Sequence, residues 1–99
     1  MSRPKLDNLL AAIAQYISSD DYTLSRHARK RMRERDLDLP DILYILRHGW
    51  HEKRKDQFDS SYKSWNYAIR GKTVDERNLR IVVTFDEGLL VVTAIDLDN

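Results

Sequence analysis

The chain has 99 residues, which suits one domain with a single core and is too short for two independent cores. Hydrophobic residues are 41% of it and charged residues 33%, and no apolar run approaches the ~20 residues that cross a bilayer, so a membrane span is excluded. There is no cysteine, which excludes disulfides and thiolate zinc sites, and the net charge of +1 excludes a protein that coats polyanions over its whole surface.

Residues 1–99 read as one domain. Met1 to Lys5 carries no apolar stretch behind its basic residues, so no secretory signal is expected and the expected location is the cytoplasm. From Pro4 to Ser18, the apolar residues Leu6, Leu9, Leu10, Ile13 and Ile17 fall at i, i+3, i+4, i+7 and i+11, which predicts a one-sided amphipathic helix. Ser18-Ser19-Asp20-Asp21 ends it, and Tyr22-Thr23-Leu24 reads as extended.

Ser25 suits the N-cap of a second helix that runs to about Asp36. Its apolar stripe is thin, with Leu24, Ala28 and Met32, and the rest is cationic. Residues 26–35 hold Arg26, Arg29, Lys30, Arg31, Arg33 and Arg35 against one acid, Glu34. A basic block on a nearly neutral domain reads as a local anion site. Asp38 suits the N-cap of a third helix, with Asp41 at N3 and Leu39, Ile42, Leu43 and Leu46 as its apolar face. Gly49 suits the left-handed position that closes it.

After Gly49 the period changes from 3.6 to 2. Trp50 to Lys55 is expected as a polar edge strand, followed by strands at Ser64–Arg70, Leu79–Asp86 and Leu89–Ile95. Glu87-Gly88 is the expected two-residue hairpin turn, which sets Val83 against Val92 and Val82 against Thr93. Arg80, Val82, Thr84, Val91 and Thr93 then share one face. Ile81, Val83, Phe85, Leu90 and Val92 share the other, which receives the helices. The expected fold is α+β, with the helices on one face of a four-stranded antiparallel sheet and the opposite face partly open.

The residues with the most chemistry are on the second helix. His27 and Arg31 are four apart and so neighbours on one flank, with Arg35 one turn further. Ala28 and Met32 form the adjacent core stripe, so His27 and Arg31 are expected where core meets solvent. RNA cleavage without metal needs a base for the 2′-OH, an acid for the leaving 5′-oxygen and cations for the phosphorane-like transition state. Histidine can fill the acid and base roles near neutral pH, and arginine forks match phosphate oxygens. Arg31, Arg70 and Arg80 are candidate clamps, and Tyr67 or Thr93 can hydrogen-bond the nucleotide. Arg26, Lys30 and Arg35 are further candidates for RNA phosphates.

Plainer readings stand beside these. An arginine-rich helix is commonly a solvated face, and a border histidine commonly bonds a backbone carbonyl. Trp65 and Tyr67 also read as core, and Arg70 and Arg80 as cross-strand ion-pair partners. His48 and His51 flank Gly49 with no third ligand in view, so no metal or cofactor is expected. A non-catalytic module that uses the basic helix 25–36 to bind RNA or an acidic protein is the alternative to an enzyme. A protein-interaction domain whose arginines only solvate it is the third.

The segment Ser25-Arg26-His27-Ala28-Arg29-Lys30-Arg31-Met32-Arg33-Glu34-Arg35 resembles the S-x-H-A-x-x-R-M-x-E-R helix of a family of small bacterial domains of unknown function. The likeness continues through Gly49, Tyr67, Arg70-Gly71, Arg80 and Thr93 and covers roughly residues 22–95, leaving 1–21 as an added N-terminal helix. That family is similar to RelE-like and barnase-like ribonuclease toxins. The resemblance implies a RelE/barnase-like fold, metal-independent RNA hydrolysis and a small antitoxin that covers the active face. Carried over, the functional set is His27, Arg31, Arg70, Arg80 and Thr93. The sheet pattern groups Arg80 with Thr93, whereas His27 comes from a helix, so these residues meet only if the cleft lies at the sheet's edge.

Overall fold

The computed structural model describes residues 5–98. The elements run α1 (Leu9–Ser18), β1 (Tyr22–Leu24), α2 (Arg26–Glu34), α3 (Leu39–His48), β2 (Trp50–His51), a 3-10 turn (Lys53–Lys55), β3 (Gln57–Asp59), β4 (Ser64–Lys72), β5 (Asn78–Phe85) and β6 (Leu89–Asp96). The class is α+β, as the sequence pattern indicates. The sheet has six strands, not four, in the order β1-β6-β5-β4-β2, with β3 also on β4. Nor is it wholly antiparallel, because β1 runs parallel to β6. No helix among the described residues is long and apolar enough to cross a membrane.

α1 begins later than its periodicity suggests. Pro4 lies outside the described residues, and Leu6 precedes the helix, its N–H donating to the Tyr67 hydroxyl at 3.0 Å. Leu9, Ile13 and Ile17 of α1 and Ile42, Ile45 and Leu46 of α3 are buried against Ile69, Ile81 and Val83 of the sheet. Burying such a side chain stabilises the fold by about 1.5–3 kcal/mol.

Both remaining helix starts are capped as their sequences predict. The Ser25 Oγ accepts from the Ala28 N–H at 2.9 Å. Asp38 and Asp41 bond each other's backbone N–H at 3.1 Å, a capping box. Gly49 departs from expectation: its φ of −78° is not left-handed. What it supplies is room, since an added Cβ would lie 2.5 Å from the Arg70 carbonyl oxygen and 2.6 Å from that of Ile45.

The expected edge strand over 50–55 is interrupted. Only Trp50 and His51 pair with β4 there, and β3 resumes the pairing at Gln57–Asp59. Between them the chain bulges through the 3-10 turn. It is held to β4 by Glu52 N–H donating to the Ala68 carbonyl at 2.8 Å and by the Asp56 Oδ1 accepting from the Ala68 N–H at 2.9 Å.

The β5–β6 hairpin also differs. Three residues, Asp86 to Gly88, separate the last pair, Phe85 and Leu89. Glu87 at φ 51° and Gly88 at φ 118° turn the chain. This shifts the first pairs by one residue, so Val83 meets Val91, and a β-bulge at Val92 restores the expected Val82–Thr93 pair. The faces of β6 change accordingly. Leu89, Val91 and Ala94 enter the core. Leu90, Val92 and Thr93 stay half-buried on the open side with Arg80 and Val82, where Thr84 is buried.

Candidate functional site

The site begins where β1 hands over to α2. β1 pairs with β6 only as far as Val91, after which α2 flanks the outer margin of β6. Ser25 fixes this junction three times. Its N–H donates to the Val91 carbonyl at 2.9 Å, its hydroxyl donates to the Val92 carbonyl at 2.7 Å, and its oxygen caps α2. Ala28 and Met32 then enter the core. That rotation brings the next flank, His27, Arg31 and Arg35, to the margin.

These three side chains and Thr93, Ala94, Ile95 and Asp96 line a cavity of about 330 Å³. His27 and Arg31 are exposed at its rim. The Arg31 Nη1 lies 3.3 Å from Glu34 Oε1, but both side chains are nearly half exposed, so this pair holds Arg31 only weakly. Beyond Arg35, the Arg77 guanidinium donates to the Arg35 and Asp36 carbonyls and reaches Asp96 Oδ2 at 3.1 Å, closing the end of α2 onto the sheet.

Arg70 and Arg80 oppose each other on the open face, and Arg80 pairs in register with Ile95 of the cavity wall. Neighbouring strands lie about 4.8 Å apart. Arg80 is therefore one strand in from the cavity and Arg70 two, with the half-exposed Ile95 between. Neither arginine lines the cavity itself. Both bind the Glu52 carboxylate, which is fully buried. The Arg80 Nε donates to Oε1 at 2.7 Å and its Nη2 to Oε2 at 3.3 Å, while the Arg70 Nη1 donates to Oε2 at 3.4 Å. The Arg80 hydrogen bonds hold the Glu52 carboxyl below the usual glutamate range, against the opposing effect of burial. With Arg54 Nη2 at 3.9 Å as well, one carboxylate faces three guanidiniums, so the group stays net positive and keeps N–H donors for an incoming anion.

The other candidates separate. Arg26 and Lys30 are exposed on α2 but do not line the cavity. Tyr67 is not available to a nucleotide on the open face. Its ring is 3% exposed, edge-on to His51 and Phe85, and its hydroxyl is engaged by the Leu6 N–H. The alternation of β4 puts Tyr67 on the core side because Ala68 and Arg70 hold the open one. His51 Nε2 lies 2.7 Å from Asp56 Oδ2, and His48 packs on Tyr44. Among the described residues no three His, Cys, Asp or Glu side chains are grouped to hold a metal ion.

Glu52 is the residue that sequence reasoning missed. It lies in the polar run His51 to Asp56, where no period marks one acid above another. The available signal was indirect: two strand arginines in register call for a shared counterion.

Fold and site together define a small α+β domain whose open sheet face ends in a cationic cleft beside a basic helix. Residues 24–96 match the family described as Domain of unknown function (DUF4258), and the chain belongs to that family. Comparison with curated proteins and with solved structures finds no match.

Proposed function

We propose that the chain is a metal-independent endoribonuclease of the toxin type, acting at the cleft between α2 and β6. The observation that carries this reading is the cavity shared by His27, Arg31 and Thr93, on the sheet face that also bears Arg80 and Arg70. An imidazole and a guanidinium one helical turn apart are suited to one phosphodiester. His27 takes the 2′-OH proton, the 2′-oxygen bonds to phosphorus and the P–O5′ bond breaks. The imidazolium returns the proton to the 5′-oxygen. Arg31 and Arg80 offset the negative charge that builds on the equatorial oxygens, and the Thr93 hydroxyl orients one of them. The products are a 2′,3′-cyclic phosphate and a 5′-hydroxyl.

Arg35 lengthens the phosphate track, and Arg26 and Lys30 add cations along α2 for flanking nucleotides. Helices packed on one face of a sheet with the other face open also suit the RelE/barnase-like resemblance. On that reading a small antitoxin covers the open face, and its acidic side chains answer the arginines. The test is purified protein on mixed RNA with chelator present, with the product ends identified. Cyclic phosphate ends support the proposal.

A second reading is favoured by the exposed cations outside the cavity, Arg26, Arg29, Lys30 and Arg33. There the same helix only docks on RNA phosphates. RNA retention that falls steeply with salt, without cleavage, selects this reading.

A further inference from the structure

Where β4 begins and β5 ends, α1 and the sheet enclose a cavity of about 350 Å³ that shares no lining residue with the His27 cleft. Its walls are four aromatic rings, Tyr16 from α1 and Trp65, Tyr67 and Phe85 from the strands. Trp65 and Tyr67 alternate with Ala68 and Arg70, and Phe85 is two residues from Val83, the partner of Tyr67, so all three strand rings are on the helix-bearing face. Leu6, Ala12 and Gln15 complete the cavity. It therefore joins the family segment 24–96 to residues that precede it.

Two features specify what fits. The first is charge. No lining residue is charged, although charged residues are 33% of the chain. Lys5 Nζ, 4.9 Å over the Trp65 ring, is answered by Asp56 Oδ2 at 2.9 Å. An ion that entered would lose its water and gain no counter-charge. The second is an unspent donor. The Tyr67 side chain is buried, 3% exposed, and its hydroxyl accepts from the N–H of Leu6, itself a wall residue. The hydroxyl's own proton has no acceptor among the described residues, and a ligand oxygen would supply one. The rings add shape. Tyr16 and Phe85 meet at 44° with centroids 5.4 Å apart, and Tyr67 and Phe85 at 64° and 6.0 Å. Tilted rings offer faces and edges together, and a flat guest completes that packing.

We propose that this cavity binds an uncharged, single-ring aromatic molecule bearing a carbonyl oxygen. The oxygen accepts the Tyr67 proton, and the ring packs among Tyr16, Trp65 and Phe85. Gln15, exposed at the mouth, brings an amide to the ligand's polar edge. The site stands whether or not the cleft beside α2 cleaves RNA.

The experiment titrates benzamide, a neutral ring with one carbonyl, into the ¹⁵N-labelled full chain and follows the two tryptophan indole N–H signals by NMR. Trp65 is in the wall, and Trp50, 52% exposed and paired with Arg70, is the control. Trp50→Phe assigns the two signals. Trp65 is expected to shift saturably, with a dissociation constant on the order of 1 mM or below, while Trp50 stays in place. Benzoate and benzylamine are expected to bind about tenfold more weakly or worse, and cyclohexanecarboxamide about threefold more weakly. Tyr67→Phe is expected to weaken benzamide about tenfold and leave toluene, which has no acceptor, unchanged. Ala12→Leu adds bulk inside the cavity with a good helix former, and is expected to abolish binding of both with the circular dichroism unchanged. No saturable Trp65 shift, equal affinity for any of the three comparison molecules, an equal loss of toluene in Tyr67→Phe, or benzamide binding that survives both variants would overturn the site.

Discussion

Arg80 meets Glu52 side-on, with Nε 2.7 Å from Oε1 and Nη2 3.3 Å from Oε2, and this pairing fixes the guanidinium plane on the open sheet face. Truncation of the acid leaves Arg80 and Arg70 opposed with no shared counterion. Glu52→Ala is expected to destabilise the fold by about 2–3 kcal/mol. That is less than the full cost of an orphaned buried charge, because the Arg70 side chain is 36% exposed. Urea denaturation measures this, and a change under 0.5 kcal/mol would contradict the assignment.

The same pair predicts how stability depends on acid. The Glu52 carboxyl is lowered in the folded state, first through its Arg80 hydrogen bonds. The stability it contributes is complete above the unfolded glutamate value of about 4.3 and is lost as pH falls from there through the lower folded value. Glu52→Gln is therefore expected to be less stable at pH 7 and to lose less stability than the wild type below about pH 4. Parallel pH–stability curves would refute it.

Ser25 links the cap of α2 to the margin of β6 through Ala28 and Val92. Ser25→Ala is expected to cost about 1–2 kcal/mol, and Ser25→Thr much less, because threonine keeps the oxygen. Thermal unfolding distinguishes them. Equal losses would show that the hydroxyl is not what joins the two elements.

Much of this fold was legible from short-range chemistry. Ser25, Asp38 and Asp41 lie within three residues of the groups they cap, and the apolar spacing of α1 and α3 marks the faces they bury. What stayed hidden depends on contacts far apart in sequence. Glu52 binds residues 18 and 28 positions away. Tyr22–Leu24 read as extended and is a strand, but its parallel pairing with β6 joins residues far apart in sequence. The β6 faces were misread because a third turn residue moved the register and the Val92 bulge moved it back. His27, Arg31 and Thr93 do share a cavity, since a helical flank is readable by spacing and Val82–Thr93 survived the bulge. Tyr67 was assigned to RNA by its type, although its place in the β4 alternation puts it in the core.

Gly49 gives a test of packing that is independent of charge. A methyl group there meets the Arg70 and Ile45 carbonyl oxygens at 2.5 and 2.6 Å. Both are backbone atoms, so relief requires moving α3 against β4. Gly49→Ala is expected to lower stability by about 1–3 kcal/mol, as overpacking does. An unchanged denaturation midpoint would contradict the close approach.

If RNA phosphates run along α2, each exposed cation contributes to the salt dependence of binding. Arg26→Ala and Lys30→Ala are each expected to weaken RNA binding and reduce the slope of log K against log salt by about 1. Filter binding across a salt series measures both. Unchanged slopes would move the RNA path off this helix.

The most direct test of the central claim compares wild type with His27→Ala for RNA cleavage in chelator, with the fold of each checked by circular dichroism. Loss of the acid/base is predicted to lower the rate by about 10²–10⁴-fold while secondary structure is unchanged. A folded His27→Ala protein that cleaves RNA at the wild-type rate would contradict the account.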